Sequence, residues 1–145
     1  MTESEARLDD LMMRAARGLR RGWARSLEPL SLTPHSARAL RVVGELGTPR
    51  LGVVAERLHI APRSATEVID ALVERGAVER VADEVDRRAT CVVLTEEGRR
   101  ILTEVETAQA GAAAEHFAPL TEDDRADLAR LLAKLDRRVG EQPAR

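Results

Sequence analysis

Side chains able to read a nucleic-acid duplex cluster in two short segments of this 145-residue chain. Arg63, Ser64, Thr66 and Glu67 form the first and Asp86, Arg87 and Arg88 the second, with Arg50 upstream of both. Arginine donates in a planar fork to guanine or phosphate, and serine or threonine can bond to either. Glutamate accepts from cytosine N4. Glu67 also lies one helical turn after Arg63, so a plain i,i+4 ion pair is an equal reading of that residue. Either way, the chemistry requires a scaffold that carries one cluster into a groove and the other along its flank.

The surrounding pattern supplies such a scaffold. Leu51, Val54, Ala55 and Leu58 recur at helical spacing, His59 and Ile60 make a turn, and Pro62 opens a second helix from its first position. Ala65, Val68, Ile69 and Leu72 form the apolar stripe of that helix, which leaves Arg63, Ser64, Thr66, Glu67 and Asp70 on or near its outer face. This is a helix-turn-helix, in which the first helix braces the backbone and the second enters the major groove. Ala61 has no capping side chain, so the first N–H groups of the second helix stay free to hold a phosphate. After Gly76, a suitable helix C-cap, the pattern alternates. Ala77, Val78 and Val81, then Thr90 to Leu94, suit two strands around the charged tip ADEVDRRA. A charged hairpin directly behind a helix-turn-helix reads as a wing that reaches DNA.

The segments LTPHSARALRVV, AERL, VIDALVERGAVER, DRRAT and LTEEGR resemble the MarR family of bacterial winged-helix transcription regulators, without gaps from about Leu32 to Arg100. The resemblance implies a homodimer on a pseudo-palindromic double-stranded operator, usually repressive and often released by a small molecule. It also implies that Arg88 enters a minor groove, that Arg87 meets flanking phosphate, and that Asp86 pairs with a nearby arginine to orient the wing. An effector pocket between the dimer helices and the reading lobe would involve Trp23, His35 and Arg38 and suit a small apolar or anionic ligand. Three departures from the family are local. His59 stands where glycine is common, Ala61-Pro62 replaces Ser-Arg, and Glu67 occupies a position that is often basic.

Composition restricts the alternatives. No glycine-rich phosphate loop is present, the three histidines are dispersed, and the single cysteine sits mid-strand beside Val92. No catalytic constellation, cofactor site or metal site is therefore expected, and the chain is read as a non-enzyme. No apolar run approaches a membrane span and no signal peptide is evident, so a cytoplasmic, nucleoid-associated protein is expected. Charge is the awkward datum, because the net charge is −2 and residues 47–94 hold seven arginines against eight acids. A duplex binder usually presents a basic face. Arg50, Arg57, Arg63, Arg87 and Arg88 must therefore be segregated from Glu56, Glu74 and Glu79.

Flanking helices complete one mainly α domain over 1–145 with a small β-wing. The reading lobe covers about 30–95, and dimerisation helices cover about 5–28 and 96–140. Leu8, Leu11, Met12, Ala15, Ala16, Leu19 and Trp23 stripe the first helix, whose other arginine-rich face reads as solvated. Thr33-Pro34 starts the second helix, Thr95 caps the fifth, and Thr121 with Asp124 forms a capping box for the sixth. Leu128, Leu131, Leu132, Leu135 and Val139 stripe that last helix. This apolar surface exceeds what one small lobe can cover, which points to a second copy. The acidic lobe keeps a second reading open, a dimeric protein-interaction module whose wing has lost DNA binding.

Overall fold

The computed structural model describes residues 3–140, and the side-chain surroundings of residues 7–136. The side chain of Val139 lies outside that range. Six helices and a two-stranded hairpin follow in the expected order: α1 Glu3–Leu27, α2 Pro34–Leu46, α3 Leu51–Leu58, α4 Pro62–Glu74, β1 Val78–Ala82, β2 Thr90–Leu94, α5 Glu96–His116 and α6 Glu122–Gly140. A single 3-10 turn, Glu28–Leu30, joins α1 to the loop before α2.

Local chemistry explains the boundaries. Thr33 accepts a hydrogen bond from the Ser36 N–H at 3.1 Å, and Pro34 takes the first position of α2. At the end of α3, His59 adopts a left-handed backbone, φ 54° and ψ 44°, where glycine would be free of strain. The Ile60 N–H then returns to the Ala55 carbonyl at 3.2 Å, which turns the chain into α4. Gly76, φ 75°, takes the left-handed position beyond α4. Reciprocal bonds between Thr121 and Asp124, 3.0 and 3.2 Å, cap α6 as a capping box.

One core joins these elements. Leu40 and Val43 of α2, Val54 and Leu58 of α3, and Ile69 and Leu72 of α4 meet Val78, Val92, Ile101 and Val105 in a continuous buried cluster. The first half of α5 therefore packs inside the lobe that carries the helix-turn-helix. β1 runs antiparallel to β2, with Val78 opposite Leu94 and Ala82 opposite Thr90. On its other edge β2 meets the segment leading into α3. Arg50 bridges to Cys91, and the Val92 N–H donates to the Pro49 carbonyl at 2.9 Å.

The second half of α5 packs along α1, with Gly18 against the His116 ring and Gly22 near Ala112. Small residues at these points let the two helices lie close together. By contrast, α6 buries none of its described residues, and Leu131, Leu132 and Leu135 are 49%, 42% and 49% exposed.

The tightest junction lies where α5 begins. The Thr95 N–H donates to the Ala77 carbonyl at 3.1 Å, the Thr95 hydroxyl donates to the Gly76 carbonyl, and the same hydroxyl accepts from the Gly98 N–H at 2.9 Å. A Cβ at Gly98 would sit 1.9 Å from the Ala77 carbonyl oxygen. Backbone cannot yield there as a flexible side chain would. Gly98→Ala is expected to lower stability by roughly 3 kcal/mol, and the melting temperature by about 10 °C. An unchanged melting temperature would mean that α5 can leave Ala77 without penalty.

Candidate nucleic-acid interface and adjoining cavity

The recognition face forms on the first turns of α4. Ala61 makes no side-chain cap, so the opening N–H groups of α4 point outward without a protein side-chain partner. Arg63, Ser64 and Glu67 are exposed there. Thr66 is half-buried and donates to the Pro62 carbonyl at 3.1 Å, which leaves its oxygen able to accept. Arg63 and Glu67 approach to 3.8 Å, so the ion-pair reading of Glu67 is present in the structure. At such exposure the pair is weak and replaceable.

Charge segregation follows from ion pairs at the sides of the lobe. Arg57 pairs with Glu45 at 3.0 Å, Arg80 of β1 pairs with Asp70 of α4, and Arg50 pairs with Asp83. The Arg75 guanidinium donates to the carbonyls of Leu30 and Ser31. Arg87 and Arg88 at the wing tip remain exposed and make no ion pair among the described residues. The net acidic lobe thus still presents free cations at its tip.

The wing corrects one expectation. Asp86 accepts the backbone N–H of Arg88 at 3.1 Å, and no arginine side chain pairs with it among the described residues. Asp86 shapes the tip turn through the backbone instead. The arginine partner belongs to Asp83, at the root of the wing, where a carboxylate can reach back to the start of α3. Arg50 holds the Asp83 carboxyl below the usual carboxylate range. Burial, reinforced by Asp83, pushes the Cys91 thiol up.

Trp23, His35 and Arg38 line one cavity of about 620 Å³ between α1, α2 and α5. Arg20, Arg21, Arg41 and Gln109 also line it. Among the described residues no carboxylate does, so this lining is electropositive. Trp23 Nε1 is buried and has no hydrogen-bond partner among the described residues, an uncommon state for a buried donor. Arg38 also donates to the Leu58 carbonyl at 3.3 Å, the last turn of α3, and Arg41 donates to Gln109 of α5. His35 borders a second cavity of about 380 Å³ whose lining includes Ser64 and Glu67 of α4.

Comparison with known proteins places this geometry. The MarR family profile matches residues 32–90. An uncharacterised HTH-type transcriptional regulator of Bacillus subtilis, YsmB, is 31% identical over 109 residues, covering 75% of this chain and 75% of that protein. The chain belongs to the MarR family. Among solved structures, apo MarR of E. coli superposes with a TM-score of 0.83 at 26% identity, covering 88% of this chain and 95% of that one. A cysteine-to-serine mutant of the same protein, complexed with operator DNA, gives 0.74 at 26% identity, over 88% and 92%. This MarR-family protein is accordingly a transcription regulator with a DNA-binding winged-helix fold, and not an enzyme. None of its described helices is long and apolar enough to cross a membrane.

Two groups of residues escaped the sequence reading. Arg20 and Arg21 belong to a face read as solvated, yet Arg20, Trp23, Ala24 and Leu27 share one side of α1 at i, i+3, i+4 and i+7 and line the cavity. That spacing was the available signal. The Arg50–Asp83 and Arg80–Asp70 pairings carried none, because the partners are distant in sequence.

Proposed function

We propose that this MarR-family regulator is a repressor that binds a pseudo-palindromic operator as a homodimer in the cytoplasm, on nucleoid DNA, and is released by a small effector. The observation that carries the DNA reading is the pair of unpaired wing-tip arginines, set in one lobe with an uncapped recognition-helix N-terminus. In this reading Arg63, Ser64, Thr66 and Glu67 meet base edges and the nearby phosphate. Arg88 enters a narrowed minor groove and Arg87 holds flanking phosphate. That the E. coli relative of this fold was solved in complex with operator DNA supports the DNA reading.

Binding to DNA from upstream of the gene, measured by gel shift at stated salt, tests the proposal. Arg88→Ala should weaken operator binding with the fold and assembly intact. Arg63→Ala should cost about 1–3 kcal/mol and relax the preference at one position per half-site. An equal Arg63→Ala loss on operator and random DNA would reassign Arg63 to phosphate. If wild-type protein shifts no DNA, the net acidic lobe favours the interaction-module reading instead.

Assembly is supported by uncovered apolar surface at both ends of the chain. Leu8, Leu11, Met12 and Met13 of α1 are 63%, 52%, 41% and 51% exposed, alongside the α6 leucines. A second copy covering both stripes would set two recognition helices about one DNA turn apart, roughly 34 Å. Folding would then be coupled to assembly. Leu131→Asp or Leu135→Asp is expected to abolish folding and DNA binding together. A stable folded wild-type monomer at micromolar concentration, seen by sedimentation, would overturn the dimer.

For the effector, four arginines, a free indole donor and an apolar wall suit a small aromatic anion. A ligand that drew Arg38 inward would take it from the Leu58 carbonyl beside the helix-turn-helix turn. The chain has one tryptophan and no tyrosine, so its emission reports this cavity. An aromatic carboxylate is expected to quench Trp23, and Arg38→Ala should weaken that titration. Unaltered emission across a set of such acids would remove the effector role.

A further inference from the structure

Arg50 suits a phosphate contact by charge and position, yet its guanidinium is committed to the Asp83 side chain. The pair spans the two parts of the reading lobe. Arg50 is the residue immediately before α3 and acts as its N-cap without a side-chain bond to that helix. Asp83 follows the last residue of β1, where the wing leaves the sheet. Their exposures are unequal, because the Asp83 side chain is 16% exposed and that of Arg50 is 50%.

Asp83 gathers several other constraints. The carboxylate oxygen that accepts from Arg50 also accepts the Asp86 N–H at 3.3 Å. Its own N–H donates to the Ala89 carbonyl at 3.1 Å, which closes the wing loop. Backbone bonds run beside the pair in the same direction, the Arg50–Cys91 bridge and the Val92 N–H on Pro49. One carboxylate is therefore attached both to the wing tip and to the start of the helix-turn-helix.

We infer that Asp83 and Arg50 act as a clamp that fixes the angle of the wing relative to α3 and α4, and so the distance between minor-groove and major-groove contacts. Both are positioning residues, and Arg50 is not a phosphate contact. The inference rests on the operator-binding reading, in which Arg88 and the face of α4 must engage one DNA site simultaneously. A wing free to swing would have to lose that freedom on binding, which weakens affinity. The backbone bridge alone leaves the loop beyond β1 unattached to α3. The carboxylate supplies that attachment.

The two roles of Arg50 predict opposite signs at Asp83. If Arg50 met phosphate, removing Asp83 would free a cation, delete a nearby negative charge and tighten binding. A clamp predicts the reverse. Asp83→Ala should weaken operator binding about tenfold, and Asp83→Asn, which keeps a neutral acceptor, should weaken it less. The double variant Asp83→Ala with Arg50→Gln should lose no more than the larger single loss. The salt slope should be unchanged in each, whereas loss of a phosphate contact lowers it by about one. Footprints should lose minor-groove protection and keep that of the guanine N7 atoms in the major groove.

Tighter binding by Asp83→Ala, or a flatter salt slope in Arg50→Gln, would overturn the clamp. Amide exchange on the free protein separates its failure from failure of the operator reading. Asp83→Ala should speed exchange at Asp86, Ala89 and Val92 while the α4 amides keep their protection. If those wing amides exchange as in wild type, the clamp is refuted even where DNA binding is lost for another reason.

Discussion

The Ala77 carbonyl is the point on which the reading lobe depends. It follows the left-handed Gly76 at the end of the recognition helix and immediately precedes β1, and it accepts the Thr95 N–H that begins α5. Gly98 crosses it at a separation that admits no side chain. Recognition helix, wing and long helix thus share one backbone junction. Because both partners there are main chain, none of the three can shift without disturbing the others.

That junction also explains why α5 serves two parts of the molecule. Ile101 and Val105 lie in the lobe core, while Ala112 and His116 pack on α1 one or more turns later. A displacement of α1 relative to α5 would reach the lobe through a helix whose first turn is fixed beneath the wing. The cavity lies between these helices and α2, and two of its arginines already bind groups on neighbouring elements. Geometry of this kind can couple occupancy of the cavity to the attitude of the helix-turn-helix. The coupling would pass through named contacts rather than through diffuse softness.

Electrostatics in the lobe work by local cancellation. The flanks carry paired charges, as with Arg57 and Glu45 or Arg80 and Asp70, while the wing-tip arginines and the open end of α4 stay uncompensated. A protein of net charge −2 can therefore offer a positive edge to a duplex. Weak overall attraction should disfavour non-specific binding more than specific binding, since the former depends on summed phosphate contacts.

Periodicity and punctuation in the sequence were enough to order every helix and both strands. Pro34 and Pro62 mark helix starts, Gly76 marks an end, and Thr95 and Thr121 mark the caps, because each acts through bonds within four residues. The turn at His59 and Ile60 and the outward position of Arg63 on α4 were legible for the same reason, whereas the left-handed backbone of His59 was not. The convergence of Trp23, His35 and Arg38 followed from family resemblance and not from spacing. Tertiary structure alone decided which carboxylate holds which arginine. Asp86 and Asp83 lie three residues apart in one acidic loop, and nothing local distinguishes them. Only the approach of the Pro49–Arg50 segment to β2 brings Arg50, 33 residues earlier in the chain, beside Asp83. Arg20 and Arg21 became cavity residues in the same way, once α1 had packed on α5 and faced α2. A contact between distant segments has no sequence period, so it exists only once the core has brought those segments together.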